Sequence, residues 1–142
     1  MSEYNRLTDV LLGYWDDLKG DRDIPLENDV NPEDLDSNWD SCFLAHLLPQ
    51  GGYRYSYLGK NLIEAYGNDV EEEEIDFLVS PDGHRTVEKF DQTIKEKRPI
   101  SDKGEFVNSK KLLIKYRQLL LPLADFEGNV SYILGGMKWK AF

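Results

Sequence analysis

The feature that most constrains this chain is a pair of long apolar runs in its last third, within residues 112–139. The connector between them, DFEGN at residues 125–129, is rich in turn-forming residues and contains a glycine. Two such runs joined by a short glycine-containing loop predict an antiparallel β-hairpin. Both runs are apolar on more than one face, so we expect other elements to cover both sides of the hairpin.

An amphipathic helix is predicted near the N-terminus, because its apolar residues recur at helical spacing and a glycine, Gly20, ends the pattern. A stripe with two large aromatic residues must pack against something. The outer side of the C-terminal hairpin is one candidate, and a second protomer is the other. We expect a homodimer, with interface candidates Leu7, Leu11, Tyr14, Trp15 and Leu18.

The order of the remaining segments predicts the fold class. A polar, acidic connector at residues 20–40 separates the first helix from the rest of the chain. Two strands, several short helices, one longer helix and three strands follow, at residues 42–48, 53–58, 60–66, 71–79, 80–98, 100–107, 112–123 and 130–139. This order predicts an α+β fold in which helices cover one face of an antiparallel sheet. We divide the chain into a helix and acidic leader, residues 1–40, and a sheet domain, residues 41–142.

Length and charge restrict the functional classes. A chain of 142 residues forms one domain that buries about two-thirds of its unfolded surface. The formal net charge of −10 disfavours direct binding to nucleic acids or to anionic membranes. No stretch approaches the roughly 20 apolar residues that span a bilayer, and the N-terminus lacks the pattern of a secretory signal. We therefore expect a cytoplasmic protein.

The reactive side chains do not form a recognisable catalytic or metal-binding motif. The two histidines, His46 and His84, have no evident nucleophile beside them, and Asp82 lies on a different side of the predicted helix from His84. The acidic run at residues 71–74 predicts a solvated helix, since adjacent glutamates on a helix point in different directions. We expect no catalytic residue and no metal site.

Several motifs resemble one family. The stretch PLADFEGNV at residues 122–130 is similar to the turn between the last two strands of PAS domains, and YILGG at residues 132–136 is similar to the strand that follows. YRYSYLGKNL at residues 53–62, the leader motifs YW, GDR and NP, and YRQLLLPL at residues 116–123 resemble a subfamily of small, stand-alone alphaproteobacterial PAS proteins. The leader departs from that subfamily at Leu26 and Glu27, where a basic residue is usual.

The resemblance implies a five-stranded antiparallel sheet that cups a cavity beneath the intervening helices, and a non-enzymatic module that senses a ligand or binds a partner protein. The residues expected to face the cavity are Tyr55, Tyr57, Phe77, Phe90, Leu119, Leu121 and Ile133.

The resemblance also leaves the ligand open. Photoactive flavin-binding relatives use a cysteine on the helical side, whereas the single cysteine here, Cys42, lies in the predicted first strand. Haem needs an axial ligand, and no feature of the sequence distinguishes His46 or His84 as one. Flavin and haem are therefore both disfavoured. Two alternatives remain: a ligand-free interaction adaptor with a filled core, and a small enzyme on a cone-shaped α+β scaffold.

Overall fold

The structure is a computed structural model that describes residues 3–67 and 84–142. Its helices are α1 (Glu3–Lys19), α2 (Lys60–Ala65) and α3 (His84–Glu96), and two 3₁₀ segments span Glu27–Asp29 and Pro32–Ser41. The strands are β1 (Cys42–Leu47), β2 (Tyr53–Leu58), β3 (Ile100–Val107), β4 (Leu113–Ala124) and β5 (Val130–Ala141). The predicted α+β class and element order are confirmed, while the acidic run at 71–74 lies outside the described residues.

The described strands form one antiparallel sheet in the order β2-β1-β5-β4-β3, with the predicted C-terminal hairpin at its centre. Asp125 fixes the turn of this hairpin, because its Oδ1 accepts hydrogen bonds from the backbone N–H groups of Glu127 and Asn129 at 2.9 and 3.0 Å. Gly128 has a φ of 88°, a conformation that favours glycine. The hydrogen bonds of Asp125 and the backbone conformation of Gly128 therefore explain why the turn contains an acidic residue and a glycine.

A proline is tolerated within β4 because of where β3 begins. Pairing between β3 and β4 starts at Ile100 and Leu120, so Pro122 lies beyond the end of β3 and needs no N–H on that side. Its carbonyl oxygen accepts a hydrogen bond of 2.8 Å from the indole Nε1 of Trp15. Helix α1 is thereby fixed to the strand at the same residue.

Helix α1 covers one side of the sheet, which we call the outer face. Leu7 and Leu11 lie over Gly136, and the absence of a side chain at that glycine lets the helix approach the strand closely. The buried cluster on this face consists of Leu7, Leu11, Trp15, Leu35, Cys42, Leu119, Leu121, Leu123 and Leu134. The predicted packing of the N-terminal helix on the outer side of the hairpin is what the structure shows.

The acidic leader also lies against the outer part of the sheet. The N–H of Ala124 donates to the carbonyl oxygen of Pro25 at 2.9 Å, and Leu26 forms an isolated parallel bridge with Ala124. The Tyr14 hydroxyl of α1 donates to a carboxylate oxygen of Asp34 at 3.0 Å. Residues from both sides of the predicted boundary at residue 40 therefore contribute to one packed face, and the division into two regions stays a prediction.

Candidate functional site

The opposite side of the sheet, the inner face, is covered by α3 and α2. Its buried cluster differs from the outer one in being rich in aromatic side chains, three of which are phenols. It contains Phe43, Ala45, Tyr53, Tyr55, Leu58, Leu62, Ala65, Phe90, Ile100, Phe106, Ile114, Tyr116, Leu120, Ile133 and Met137.

Aromatic rings fill the part of the inner face above β1 and β2. Phe90 of α3 is fully buried, and its ring centroid lies 5.7 Å from that of Phe43 and 5.1 Å from that of Tyr53. Tyr55 meets Phe43 edge-on at 5.2 Å. The Tyr53 hydroxyl donates to Oδ1 of Asp91 at 2.6 Å, which ties β2 to α3. This end of the interface is closed by ring–ring packing.

A second aromatic group lies where α2 meets β3 and β4. Tyr66 stacks on Phe106 at 5.2 Å between ring centroids, and Phe106 lies 6.1 Å from Tyr116. Burial raises the pKa of Tyr55 well above its usual value, and a hydrogen bond with Tyr66 and the nearby Tyr116 add to the rise. Three phenols thus meet inside the domain, and Tyr55 stays protonated at physiological pH.

A carboxylate and an amide lie beside these rings on the same face. Asp102 of β3 and Gln118 of β4 are direct cross-strand partners, and Nε2 of Gln118 donates to Oδ2 of Asp102 at 2.9 Å. Their exposed fractions are only 7% and 4%. Met137 of β5 is the cross-strand neighbour of Gln118 on its other side. We call Asp102 and Gln118 the inner polar pair.

The polar groups of this face are held in defined orientations. Thr93 of α3 is fully buried and donates to the carbonyl oxygen of Lys89 at 2.8 Å. Among the residues that the structure describes, every buried side-chain nitrogen or oxygen has a hydrogen-bond partner. A face with a buried carboxylate, an amide and several phenols presents fixed donors and acceptors within an otherwise apolar environment.

The structure brings together three of the seven predicted cavity residues. Tyr55, Phe90 and Ile133 lie in the inner cluster. Leu119 and Leu121 lie in the outer cluster under α1, so their predicted orientation is wrong. The run around them is apolar on both faces and gives no period-two pattern of its own. Just before this run, the exposed Lys115 and Arg117 alternate with buried residues, and this alternation indicates which face of the sheet each residue of β4 occupies.

Tyr57 is also on the outer side, against expectation. The pairing of β1 with β2 shifts between Leu44 and Ala45, so that Ser56 is an extra residue in β2. A bulge of this kind reverses the face of the residues that follow it. Tyr57 stacks on Trp39, with ring centroids 4.3 Å apart, and donates to the carbonyl oxygen of that residue at 3.0 Å. Phe77, the remaining candidate, lies outside the described residues.

Sequence reasoning missed Asp102, Gln118, Tyr66 and Tyr116, which the structure places on the inner face. A pattern in β3 could have found one of them, Asp102. In β3 the buried residues are Ile100, Asp102 and Phe106, whereas the residues between them are exposed or only partly buried. An aspartate at an inward position of an alternating strand indicates a buried polar site.

The residues predicted to form a dimer interface pack within one chain. Leu7, Leu11 and Trp15 are buried against the sheet of their own chain. A homodimer through these three side chains would therefore require α1 to leave the sheet. Tyr14 and Leu18 are partly buried at the margin of the same helix. The homodimer itself stays a prediction.

The cysteine and the histidines lie away from the inner polar pair where their side chains are described. Cys42 is fully buried in the outer cluster, its Sγ donates to the carbonyl oxygen of Asn38 at 3.3 Å, and burial raises the pKa of its thiol to about 12. His46 stacks on Tyr132, with ring centroids 4.3 Å apart, at a cross-strand pair of β1 and β5. His84 begins α3. Thiol chemistry toward a cofactor on the inner face does not fit this chain.

Within residues 3–67 and 84–142, His, Cys, Asp and Glu side chains do not gather in a group of three that could hold a metal ion. None of the described helices has the length and apolarity that a membrane span requires.

Solved structures resemble this fold at low sequence identity. A light-oxygen-voltage domain from work on a flavin analogue aligns with a TM-score of 0.60 and 15% identity, over 76% of this chain and 82% of that one. The LOV domain of the blue-light activated histidine kinase EL346 of Erythrobacter litoralis aligns with a TM-score of 0.55 and 13% identity, over 72% of this chain and 96% of that one. At this identity the similarity concerns the fold.

The family is shown by the sequence itself. A search of curated proteins gives no match. A family profile described as "PAS domain" matches residues 5–138, which covers most of α1, the leader, β1 to β4 and most of β5. The recognised motifs, the sheet order and the helices on the inner face agree with that match. The chain therefore belongs to the PAS domain family, whose members are in general sensory signalling modules.

Proposed function

We propose that this PAS domain is a non-enzymatic sensor that binds a small molecule on its inner face, beside the inner polar pair Asp102 and Gln118. The observation that carries the proposal is the burial of this carboxylate–amide pair within an aromatic and aliphatic face. Burying such groups costs free energy that apolar residues of similar size would not cost. Recognition of a ligand with matching polar groups would explain why Asp102 and Gln118 are buried at this position.

The surroundings of the pair suggest the ligand's chemistry. Met137 and Tyr116 lie at neighbouring positions of the inner face, since Met137 is paired with Gln118 and Tyr116 is two residues before it in β4. Aromatic and thioether groups favour contact with a flat, polarisable ring. Asp102 is an acceptor when ionised, and the Gln118 amide both donates and accepts. We infer a planar ligand with N–H or O–H groups at its edge.

A second candidate function is a ligand-free interaction adaptor with a filled core. The ring packing of Phe43, Tyr53, Tyr55 and Phe90 favours it, because these side chains already occupy the interface between α3 and the β1–β2 part of the sheet. The hydrogen bonds that satisfy the buried polar atoms of the described residues favour it too. Dense packing without a ligand is common in small domains.

The non-enzymatic part of the proposal rests on the placement of the reactive groups. Cys42 is buried on the outer face with a raised pKa, so it is protonated and shielded at physiological pH. The described ring of His46 is stacked on Tyr132 and lies on the outer face. Neither provides a nucleophile or a base to a substrate at the inner polar pair.

Native mass spectrometry of the purified protein tests the proposal. We expect a retained small molecule in the wild type, and its loss in Gln118→Leu, which removes both the donor and the acceptor of the amide. Gln92→Leu is the matched control, since it makes the same chemical change on α3 at a partly buried position outside the inner polar pair.

The adaptor has its own expected result. A wild-type protein without bound mass, whose unfolding midpoint no compound of a metabolite panel raises, would support the filled-core alternative and contradict the sensor. Retention that is equal in the wild type and in Gln118→Leu would contradict the assignment of the site to this pair.

A further inference from the structure

The outer face has a cationic region beyond the N-terminal turn of α1. Lys103, Arg117 and Lys138 stand directly opposite one another across β3, β4 and β5. They share the face of Leu119 and Gly136, the next row toward α1. Lys103 and Arg117 are exposed and Lys138 is half-buried. The row thus places three basic side chains next to one another on one face of the sheet.

The next row along the strands repeats the pattern. Glu105, Lys115 and Lys140 are cross-strand partners, and all three are exposed. The two rows together contain five lysine or arginine side chains and one carboxylate. The whole chain has a formal net charge of −10, so a local excess of positive charge is contrary to the overall balance.

An apolar row completes the region at the end of the sheet. Val107 pairs with Leu113, and the backbone N–H of Phe142 donates to the carbonyl oxygen of Leu113 at 2.8 Å. Val107 is 63% exposed and Phe142 is 66% exposed. Nζ of Lys115 lies 4.9 Å from the centroid of the Phe142 ring, which joins the cationic and apolar rows. We call these three rows the basic–apolar surface.

We propose that the basic–apolar surface binds an acidic, amphipathic segment of a partner protein. Carboxylates of the segment would meet Lys115, Lys138 and Lys140 of the two cationic rows, and an apolar side chain would cover Val107 and Phe142. Adjacent strands are about 4.8 Å apart and same-face residues along a strand about 6.8 Å apart, so the surface measures roughly 10 by 14 Å. A short peptide segment with a few carboxylates matches this size and charge.

Charge and size favour a peptide over other anionic partners. A nucleic acid or an anionic bilayer extends well past the surface, and the remaining acidic protein would repel it. A second copy of this chain offers acidic residues too, but its net charge of −10 opposes close approach of two copies. A local acidic segment meets the cationic rows with the least repulsion from the rest of the surface.

The proposal extends the proposed function by naming a protein partner for the sensor, and its test is independent of the inner face. Binding of a fluorescein-labelled peptide in which glutamate alternates with leucine is measured by anisotropy. Lysine–leucine and glutamate–serine peptides separate the charge contribution from the apolar one. Ligand retention at Gln118 is followed in the same samples, so a failure of either proposal is recognised separately.

Charge reversal locates the binding site. Lys138→Glu with Lys140→Glu should weaken binding of the glutamate–leucine peptide at least about fivefold, since two charge contacts become repulsive. These positions are chosen because Lys103 and Arg117 already take part in other interactions. The double change should leave the unfolding midpoint unchanged or raised, because it places carboxylates opposite Arg117 and Lys115. The control, Lys89→Glu with Lys95→Glu on α3, makes the same charge change on the other side of the sheet.

Each outcome of these measurements either supports or overturns the proposal. Binding that is weakened by the β5 reversal and by added salt, but not by the α3 reversal, supports the proposal. Equal weakening by both reversals would show a general charge effect and overturn the specific surface. Binding of anionic phospholipid vesicles in preference to the peptide would overturn the peptide assignment, as would dimerisation that depends on Lys138.

Discussion

Each face of the central sheet has a buried cluster, yet the two clusters are built from different chemistry. The outer face is closed by α1 with leucines and the indole of Trp15. The inner face, beneath α3, combines phenols, the inner polar pair and aromatic rings. Aliphatic packing stabilises without specifying a ligand, whereas buried polar groups cost stability unless each has a partner. This difference supports the proposal that a small molecule is recognised at the inner face, while α1 stabilises the outer face.

Two adjacent glycines in β5 show the same contrast within one strand. A Cβ at Gly135 would overlap the Phe43 ring on the inner face, and a Cβ at Gly136 would overlap Leu11 of α1 on the outer face. Each face therefore depends on the close approach of one large side chain to bare backbone. In β5, the central strand of the sheet, the packing on the two faces can therefore be perturbed separately.

The largest expected effect is on the outer cover. Leu11 is fully buried, so Leu11→Ala should lower the free energy of unfolding by about 3 kcal/mol, through lost burial and the cavity that remains. Val10→Ala is the control on the same helix, since Val10 is 37% exposed and should cost less than about 1 kcal/mol. Urea denaturation measures both. A loss at Leu11 as small as that at Val10 would show that α1 does not stabilise the sheet.

The paired glycines give the next largest effect. Gly135→Ala and Gly136→Ala should each cost about 1–3 kcal/mol, because an added methyl group forces Phe43 or Leu11 to move. Only Gly135→Ala should alter the near-ultraviolet circular dichroism of the aromatic side chains packed on Phe43, and the retention of a bound molecule. Loss of retention in Gly136→Ala, with Gly135→Ala unaffected, would reverse the assignment of the two faces.

Two tyrosines of β2 provide a smaller, matched comparison. Tyr55→Phe removes the hydroxyl that bonds to Tyr66 inside the domain and should cost about 1–2 kcal/mol. Tyr57→Phe removes a hydroxyl that bonds to a backbone carbonyl at the half-buried outer side, and should cost about half as much. Thermal unfolding of the two variants compares them. Equal losses would mean that burial of the hydroxyl does not distinguish the faces.

The smallest expected effect is a pH dependence from the outer face. The thiol of Cys42 has a pKa raised from 9.0 to about 12, mainly by burial, so the folded state keeps a proton that the unfolded state releases first. Its stabilising contribution is complete below pH 9 and decreases as the pH rises toward 12. Between pH 9 and pH 10 the loss is about 1 kcal/mol. Cys42→Ala should be less sensitive over this interval, and an identical pH dependence would show that the thiol is not buried.

Much of the fold was predictable because the local patterns agree with one another. Three patterns each predict one element for a physical reason: the turn at Asp125, the apolar stripe on α1 and the apolar runs of the hairpin. The structure confirms the element order. The face of each residue was harder to predict. An apolar run such as residues 119–121 is buried on both sides, so its sequence contains no alternation that separates inner from outer.

The site was less predictable than the fold for two further reasons. The bulge at Ser56 depends on how β1 pairs with β2, and this long-range pairing turns Tyr57 away from the face of Tyr55. The inner polar pair joins residues 102 and 118, whose meeting depends on the register of β3 with β4. Residue types suggested aromatic cavity walls, but the polar groups became visible only once the strands were aligned.

The most direct test uses one reporter on each face. The chain contains two methionines, Met1 and Met137, and the latter lies beside Gln118 on the inner face. The indole N–H of Trp15, bonded to Pro122, reports on the outer face. NMR spectra are compared before and after the bound molecule is removed by unfolding and refolding. The proposed site on the inner face predicts that the Met137 methyl resonance shifts while the Trp15 indole resonance stays in place. An unchanged Met137 resonance, or a shift confined to Trp15, would contradict it.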